Sequence, residues 1–492
     1  MTDSFTPAQV ADSLPDAVLL PRPSKVPQAV LTDVTHDSRQ AGPGVLFAAR
    51  PGAHVDGHDF AAAAVKAGSP ALLVQRALPK LKVPQIQVTS VADSLGFVAD
   101  LIHGSPTADI DVLGITGTNG KTTTAYLLDA VWRAAGRVTG LIGTVETRIG
   151  DQRVPGVRTT PEASDLHRLF ARMRDQGVTA ASIEVSSHGL ALGRLNGVRL
   201  AAALFTNLTQ DHLDFHTDME EYYLAKASLF TPTFTPVGVI TVDDDYGRRL
   251  AEQAPVDVWT LSRRTTADVT ATDVVAGVRG STFLARVKGA RVGVRINLPG
   301  EYNVANALGA IATAHAAGVP LSVAADGLAS LTGVPGRMER VDVGQPFGVL
   351  VDYAHTPDSV VGVLDAARTL TDGRLIVVLG CGGDRDRRKR PVMARAAVSH
   401  ADIAVFTNDN PRSEDPEAIL QDMIAGLADP RAAIRITDRR DAIGQAIGMA
   451  RAGDVVVIAG KGHEPYQELA DGRIDFDDRV IARQALTRWV QQ

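Results

Sequence analysis

The sequence predicts an α/β protein of three successive domains, and three observations carry that expectation. At 492 residues the chain has room for three domains of about 150 residues each. Short apolar runs alternate with helix-like segments along most of its length, which is the pattern of βα units. Two junctions rich in glycine, proline and small polar residues interrupt the alternation: Gly104-Ser105-Pro106-Thr107 and Thr332-Gly333-Val334-Pro335-Gly336. The domains are accordingly placed at residues 1–107, 108–335 and 336–492.

In the first domain, strands are expected over 45–48, 71–74 and 86–88, with a helix over 60–67 between the first two. The second opens with a strand over 111–115 and a helix over 122–135 closed by Gly136. Leu127, Leu128, Val131, Trp132 and Ala135 form one apolar face on that helix. Strands over 181–185 and 202–206 follow. From about residue 268 to 298 the period drops to two, with alternating segments over 282–287 and 291–296 that read as a small antiparallel insert. The third domain supplies strands over 349–353, 375–379, 403–407 and 455–459 with helical segments between them. That is a doubly wound, mostly parallel, Rossmann-like sheet, whose ligands bind at the carboxyl ends of strands.

Composition removes several classes. The chain is 45% hydrophobic and 22% charged, which excludes a mainly disordered protein. A net charge of -6 gives no electrostatic reason to expect a nucleic-acid partner. The single cysteine, Cys381, excludes an intrachain disulfide framework and reads as a small buried residue at a strand end. No apolar run approaches the roughly 18 residues of a membrane span. The acidic N-terminal stretch lacks a secretory apolar segment. A cytoplasmic protein is expected.

The most informative segment is Gly114-Ile115-Thr116-Gly117-Thr118-Asn119-Gly120-Lys121-Thr122-Thr123-Thr124, set between an expected strand and an expected helix. Glycines let backbone amides turn into one concavity, and the helix N-terminus adds positive potential. Lys121 can reach terminal phosphates and the Thr122 hydroxyl can ligate Mg²⁺. The usual spacing is broken, because Ile115 stands where the first glycine belongs. Two further strand ends carry candidates. Glu184 closes the strand over 181–185 and is placed to hold Mg²⁺. In Thr206-Asn207-Leu208-Thr209-Gln210-Asp211-His212-Leu213-Asp214-Phe215-His216, His212 is the better metal-ligand candidate and His216 the structural one. Lys226, alone, reads as a solvated helix charge.

The Gly117–Thr122 loop resembles that of the Mur ligase superfamily, which also contains the folylpolyglutamate synthases. The resemblance extends along the whole chain and implies the three-domain Mur ligase architecture, with a P-loop-type central sheet. It implies an ATP-dependent amide ligase that makes an acyl phosphate and lets an amine displace the phosphate. It makes Lys121, Glu184, His212 and Lys226 catalytic. Thr122, Glu184, His212 and Lys226 would hold Mg²⁺, with Lys226 in the Tyr-x-x-x-Lys-x-x-Leu-Phe pattern carrying a CO₂-derived carbamate. A carbamate supplies oxygen and negative charge where an ammonium would repel the metal. ATP contacts map to Gly117, Thr118, Asn119, Gly120, Lys121, Thr122, Thr123, Asn303, Arg337 and Asp352.

The same resemblance identifies the members that act on UDP-N-acetylmuramoyl-L-alanyl-D-glutamate in peptidoglycan synthesis. Ser38, Thr159, Thr160, Ser186 and Arg194 match positions for that acceptor. The family pattern has Asn before the Thr-Thr pair and Gln two residues before the Arg; here Arg158 and Leu192 stand there. Arg385, Asp409, Asn410, Pro411, Arg412, Gly460 and Glu464 match positions for meso-2,6-diaminopimelate, with Asp409 to Arg412 as its recognition tetrapeptide. Diaminopimelate is lysine with an added carboxylate, which a guanidinium fork binds bidentately. The expected partners are these two substrates and ATP, with no nucleic acid and no membrane, acting on a monomer. A family member adding lysine or using another acceptor, and a non-catalytic nucleotide switch, remain the alternatives. The run from Arg385 to Arg390 as a nucleic-acid patch is the weaker reading, since Asp386 interrupts it in an acidic chain.

Overall fold

In the computed structural model, residues 4–20, 29–52, 55–277 and 280–491 are described. The first residues of the acidic N-terminal stretch, and 278–279 within the expected antiparallel segment, lie outside them.

Three sheets dominate the molecule. The first has five strands, with Val45–Ala48, Leu72–Val74 and Gln85–Gln87 parallel at its heart. Its edges are Val18–Leu20 and Asp33–Thr35, two three-residue strands too short to show a period. The expected helix over 60–67 begins as a 3-10 turn, Gly57–Phe60, and continues as Ala61–Lys66. The Asp56 side chain caps that turn by accepting from His58 N.

The central sheet has eleven strands. Strand Asp111–Thr116 lies in its middle, parallel to Ala180–Glu184 on one side and Ala202–Phe205 on the other. The chain leaves Asp111–Thr116 through helix Lys121–Ala134 and returns two places away as Thr139–Ile142. It turns to the opposite side only with Ala202–Phe205, so the switch in winding direction falls at the end of Asp111–Thr116. Val237–Thr241 and Asp257–Leu261 extend the parallel part.

Two expectations change here. The antiparallel strands Val269–Gly277, Gly280–Val287 and Ala290–Ile296 are not a separate insert: Val269 bridges Leu261, so they continue the central sheet to its edge. Helix Lys121–Ala134 is not amphipathic, because every residue from Thr122 to Trp132 is buried. It lies between the sheet and helices Glu301–Ala316 and Leu321–Ser330, which cover its outer side. Gly136 ends it with φ +74°, as a left-handed C-terminal glycine does.

The third sheet runs in the order Glu339–Arg340, Gly348–Asp352, Val455–Ala459, Leu375–Cys381, Ile403–Asn408, Ala433–Arg435, and all but the first are parallel. Helices Pro357–Arg368, Lys389–His400 and Pro416–Ile424 pack on one face, with Arg439–Met449 and Asp478–Val490 on the other. The doubly wound, mostly parallel expectation is met. At the junction before it, Gly336 has φ +65°, and a side chain there would collide with the backbone of Gly462 and His463. Among the described residues no helix is long and apolar enough to cross a membrane.

Candidate active site

A cleft of about 990 Å³ opens between the carboxyl ends of the central and C-terminal sheets. Its floor is the loop after strand Asp111–Thr116. Gly117 has φ +142°, and a side chain there would collide with the Thr206 hydroxyl. Gly120 has φ +89°, and a side chain would collide with the Asn306 amide. The next strand's loop pins the turn: Thr206 Oγ1 donates to Asn119 O at 2.6 Å, and Asn119 N donates to Asn207 Oδ1 at 3.0 Å. The Tyr222 hydroxyl lies 3.1 Å from Thr118 Oγ1. Lys121 folds back onto its own loop, donating to Gly117 O at 2.8 Å and Thr118 O at 2.7 Å.

Glu184, at the end of the neighbouring parallel strand, is 1% exposed. It accepts from Thr122 Oγ1 at 2.9 Å, Thr144 N at 2.9 Å and Thr144 Oγ1 at 3.0 Å. Three bonds of this kind satisfy a carboxylate that burial would otherwise penalise. Arg337 Nη2 in turn donates to the same Thr122 hydroxyl at 2.9 Å, and its guanidinium stacks over Tyr353. Arg337 therefore meets the phosphate loop directly. The adjacent pair Asn303 and Asn306 are joined by a 3.0 Å bond. Asp352 accepts from Met338 N at 2.7 Å and Ala354 N at 2.8 Å, so both its oxygens tie the backbone around Arg337. Burial raises its carboxyl above the usual value despite the nearby guanidinium.

The residue-level reading of Lys226 as a solvated charge is overturned. Its side chain is 1% exposed, packs over Tyr222, and donates to Gly117 O at 2.9 Å. Helix Met219–Ala227 turns it inward beneath the phosphate loop. Burial, then repulsion from Lys121, holds its amine well below the ordinary lysine value. His212 lines the cleft with φ +55° beside Asp211 and the His188 ring. Burial pushes its imidazole below the ordinary histidine value, against the pull of the Asp211 carboxylate. His216 is fully buried among His188, Phe215 and Tyr222, as a structural histidine would be.

At the far end, three strand ends bring Arg385, Asp409, Asn410, Arg412, Gly460 and Glu464 into the same cleft. Gly383 N donates to Asn410 O at 2.9 Å, and Asn410 Nδ2 donates to Glu464 Oε2 at 2.8 Å. Arg412, with φ +52°, holds Glu468 Oε2 at 3.0 Å and Gly383 O at 2.7 Å. Glu464 also receives the fully buried Lys461 ammonium at 3.1 Å. The side wall carries Thr159, Thr160, Ser186 and Arg194. Cys381 ends its strand, buried against Met393, with its thiol pushed up to about 12 by burial. The basic run is not an open stripe: Arg390 is buried on Glu414 and Asp422, and Arg387 and Arg388 are paired.

Three expected residues lie off the cleft lining. Ser38 sits in the 3-10 turn Ser38–Gln40 of the first sheet. Gly117 is beneath the loop surface, and Pro411 is turned with its carbonyl against Gly383. Sequence reading missed Thr144, Lys461, Glu468 and Arg473. Thr144 follows strand Thr139–Ile142, so the strand-end rule that found Glu184 reaches it once that strand is read. Glu468 and Arg473 stand on the hairpin Tyr466–Leu469 and Gly472–Asp475, which carries no motif.

A parallel-sheet switch point holding a phosphate loop, with a second sheet closing over it, defines a nucleotide-dependent α/β protein of two facing sheets. The chain belongs to the Mur ligase family. Its models match residues 30–103 (Mur ligase family, catalytic domain), 115–314 (Mur ligase middle domain) and 336–462 (Mur ligase, glutamate ligase domain). A Streptomyces avermitilis protein named UDP-N-acetylmuramoyl-L-alanyl-D-glutamate–2,6-diaminopimelate ligase is 49% identical, covering 93% of each chain. A protein of the same name from Streptomyces coelicolor is 48% identical over 99% of this chain and 97% of its own. A solved structure with that name superposes with a TM-score of 0.70 at 33% identity, covering 100% of both chains. A folylpolyglutamate synthase of Mycobacterium tuberculosis, at 20% identity, covers 80% of this chain and 94% of its own with TM-score 0.62, and shares the fold.

Proposed function

We propose that this chain joins meso-2,6-diaminopimelate to the D-glutamate γ-carboxylate of UDP-N-acetylmuramoyl-L-alanyl-D-glutamate at the expense of ATP, in peptidoglycan synthesis. The observation that carries the reading is a single cleft with the phosphate loop, Glu184 and buried Lys226 at one end and Arg412 at the other. The names borne by relatives at 43–49% identity support the same substrates. We assign three domains, at 1–107, 108–335 and 336–492, and one chain lines the whole cleft, which suits a monomer.

The γ-phosphate passes to the acceptor carboxylate, giving an acyl phosphate and ADP. The amine then attacks the acyl carbon, the C–O bond to phosphate breaks, and the amine loses a proton. Lys121 and Arg337 neutralise charge where one anion attacks another. Asn303, Asn306 and Asp352 shape the nucleotide side. Thr159, Thr160, Ser186 and Arg194 orient the acceptor, and Ser38 belongs to its uridine end. Arg385, Arg412, Asp409 and Glu464 orient the zwitterionic donor.

The oxygens of Glu184 and Thr122 stand together and suit a hard cation. Among the described residues no three His, Cys, Asp or Glu side chains are grouped to hold one, so a further oxygen donor is needed. Lys226 fits that need as a carbamate: its neutral amine forms an N–C bond to CO₂ and releases a proton. Thr122, Glu184, His212 and carbamylated Lys226 would hold Mg²⁺, which when bound supplies charge neutralisation to the phosphates. A pure nucleotide switch has no use for a buried lysine and glutamate under the loop. The lysine-adding alternative leaves Arg412 without a substrate carboxylate to bind.

The test is ADP release and amide formation with the UDP-dipeptide, offering diaminopimelate and lysine side by side. Release that requires both the acceptor and diaminopimelate is expected. Equal use of lysine, or ADP release without acceptor, overturns the reading.

A further inference from the structure

We propose that Arg158 binds an anionic group of the acceptor substrate and sets how tightly that acceptor is held, with Arg194 and Arg50 forming the rest of the cradle. The inference rests on the functional reading above and adds Arg158 and Arg50, which that reading does not use, to its Arg194. Three guanidiniums converge on Glu162: Arg50 Nη1 at 2.8 Å from Oε2, Arg194 Nη2 at 2.7 Å from Oε1, and Arg158 on the same Oε1. One carboxylate cannot neutralise three cations. The corner keeps a surplus of two positive charges, and an anion is what such a surplus selects.

Two details show where that anion sits. Arg194 is 8% exposed, and its Nε is buried without a hydrogen-bond partner, an unmet donor in a desolvated place. Arg158, by contrast, has a side chain 53% exposed and lines the cleft, whereas Arg50 does not. Arg158 is therefore the arm free to turn. When it leaves Glu162, Arg50 and Arg194 still hold both carboxylate oxygens, so no buried charge is stranded. The next residue, Thr159, touches the Thr144 hydroxyl at 2.9 Å, and Thr144 bonds Glu184. The cradle thus sits on the wall leading to the phosphate loop, within reach of an acceptor laid along that wall. Its chemistry suits a carboxylate or a diphosphate, both of which accept a guanidinium fork.

The experiment is calorimetric binding to the full-length protein, which needs no turnover. Arg158→Gln and Arg158→Lys are titrated with UDP-N-acetylmuramoyl-L-alanyl-D-glutamate, with the same compound carrying its glutamate α-carboxylate as an amide, and with UDP. Arg158→Gln is expected to raise the Kd of the intact acceptor about tenfold, and Arg158→Lys to recover part of that. ATP affinity and Tm stay as in the wild type. If the anion is the carboxylate, the Gln penalty vanishes with the amidated acceptor. If it is the diphosphate, the penalty persists there and appears with UDP; either pattern supports the cradle and names its ligand. An acceptor Kd within about twofold of wild type, or a loss that falls equally on ATP or on Tm, overturns it. A wild-type protein that does not bind the intact acceptor defeats the functional reading instead, which is a different result from binding that the Gln variant retains.

Discussion

The two ends of the cleft hold their charges differently. At the phosphate end, Glu184 and Lys226 are each 1% exposed and bond to hydroxyls and backbone of neighbouring strand-end loops. At the amino-acid end, Arg412 and Glu464 are engaged with other charged side chains, Glu468 and Lys461. The first end is preorganised, so its groups do not have to reorganise as charge moves between phosphate and carboxylate. The second is self-neutralised, and on the proposed function a zwitterion bound there exchanges internal ion pairs for its own. Activation is thereby separated from selection.

The sharpest break of that contrast is at the phosphate end. Lys121→Ala should lower acyl-phosphate formation about 100-fold or more while leaving acceptor binding nearly intact. Lys226→Ala should fall as far, and Lys226→Arg should do no better, because the required group is an anion. Rapid-quench detection of acyl phosphate, with acceptor affinity measured alongside, checks all three; an active Lys226→Arg protein would return that lysine to a structural role.

At the other end the effect should be smaller. Arg412→Ala should raise the KM for diaminopimelate about 30-fold and leave those for ATP and acceptor unchanged, the internal pair with Glu468 having already discounted the free guanidinium. Steady-state kinetics with each substrate varied decides; an effect confined to ATP would show the loop has been misassigned.

Behind that loop, Glu414 receives Arg390 on both oxygens and Asp384 N at 2.6 Å. Chiefly through the Arg390 bonds, its carboxyl is held from 4.5 down to about 2. A depressed folded-state value stabilises the protein fully above the unfolded one and loses that contribution as pH falls toward the folded one. Glu414→Gln should therefore cost about 2 kcal/mol at neutral pH. In thermal melts the gap from wild type should close between pH 4.5 and about 2. A gap that is constant with pH would assign the loss to packing.

The smallest change should come from Glu468→Gln. Removing the internal carboxylate frees Arg412, so the KM for diaminopimelate should fall about threefold, roughly 0.6 kcal/mol. A rise would mean that Glu468 orients Arg412 rather than competing for it.

What could be read from the residues follows the same division. The phosphate loop announces itself because backbone chemistry demands glycines at fixed positions next to Lys121 and Thr122. The third sheet's strands are buried on both faces, so Leu375–Cys381 and Val455–Ala459 appear as unbroken apolar runs. Strands Val18–Leu20 and Asp33–Thr35 are too short for a period, and helix Lys121–Ala134 misleads because it is covered all round. The inward turn of Lys226 depends on how helix Met219–Ala227 packs beneath the loop, which no local pattern encodes. Glu468 and Arg473 are surface-like residues on a short hairpin, and only the tertiary approach to Arg412 gives them meaning.

The junction at Gly336 limits which sequences this chain can tolerate. Gly336 and Gly462 meet backbone to backbone: a methyl on Gly462 would lie 2.7 Å from Gly336 O and 2.9 Å from Tyr353 N, and one on Gly336 would run into His463 N. Gly344, a few residues on, also has positive φ (+96°) but nothing within 4 Å. Asparagine, which accepts the left-handed region, would be admitted at position 344 and refused at 336 and 462. In a saturation library the two facing glycines should behave as a single indivisible character. Replacing either would pry the linker from the loop that carries Glu464, and no second change at its partner could repair the fault, since glycine has nothing left to remove.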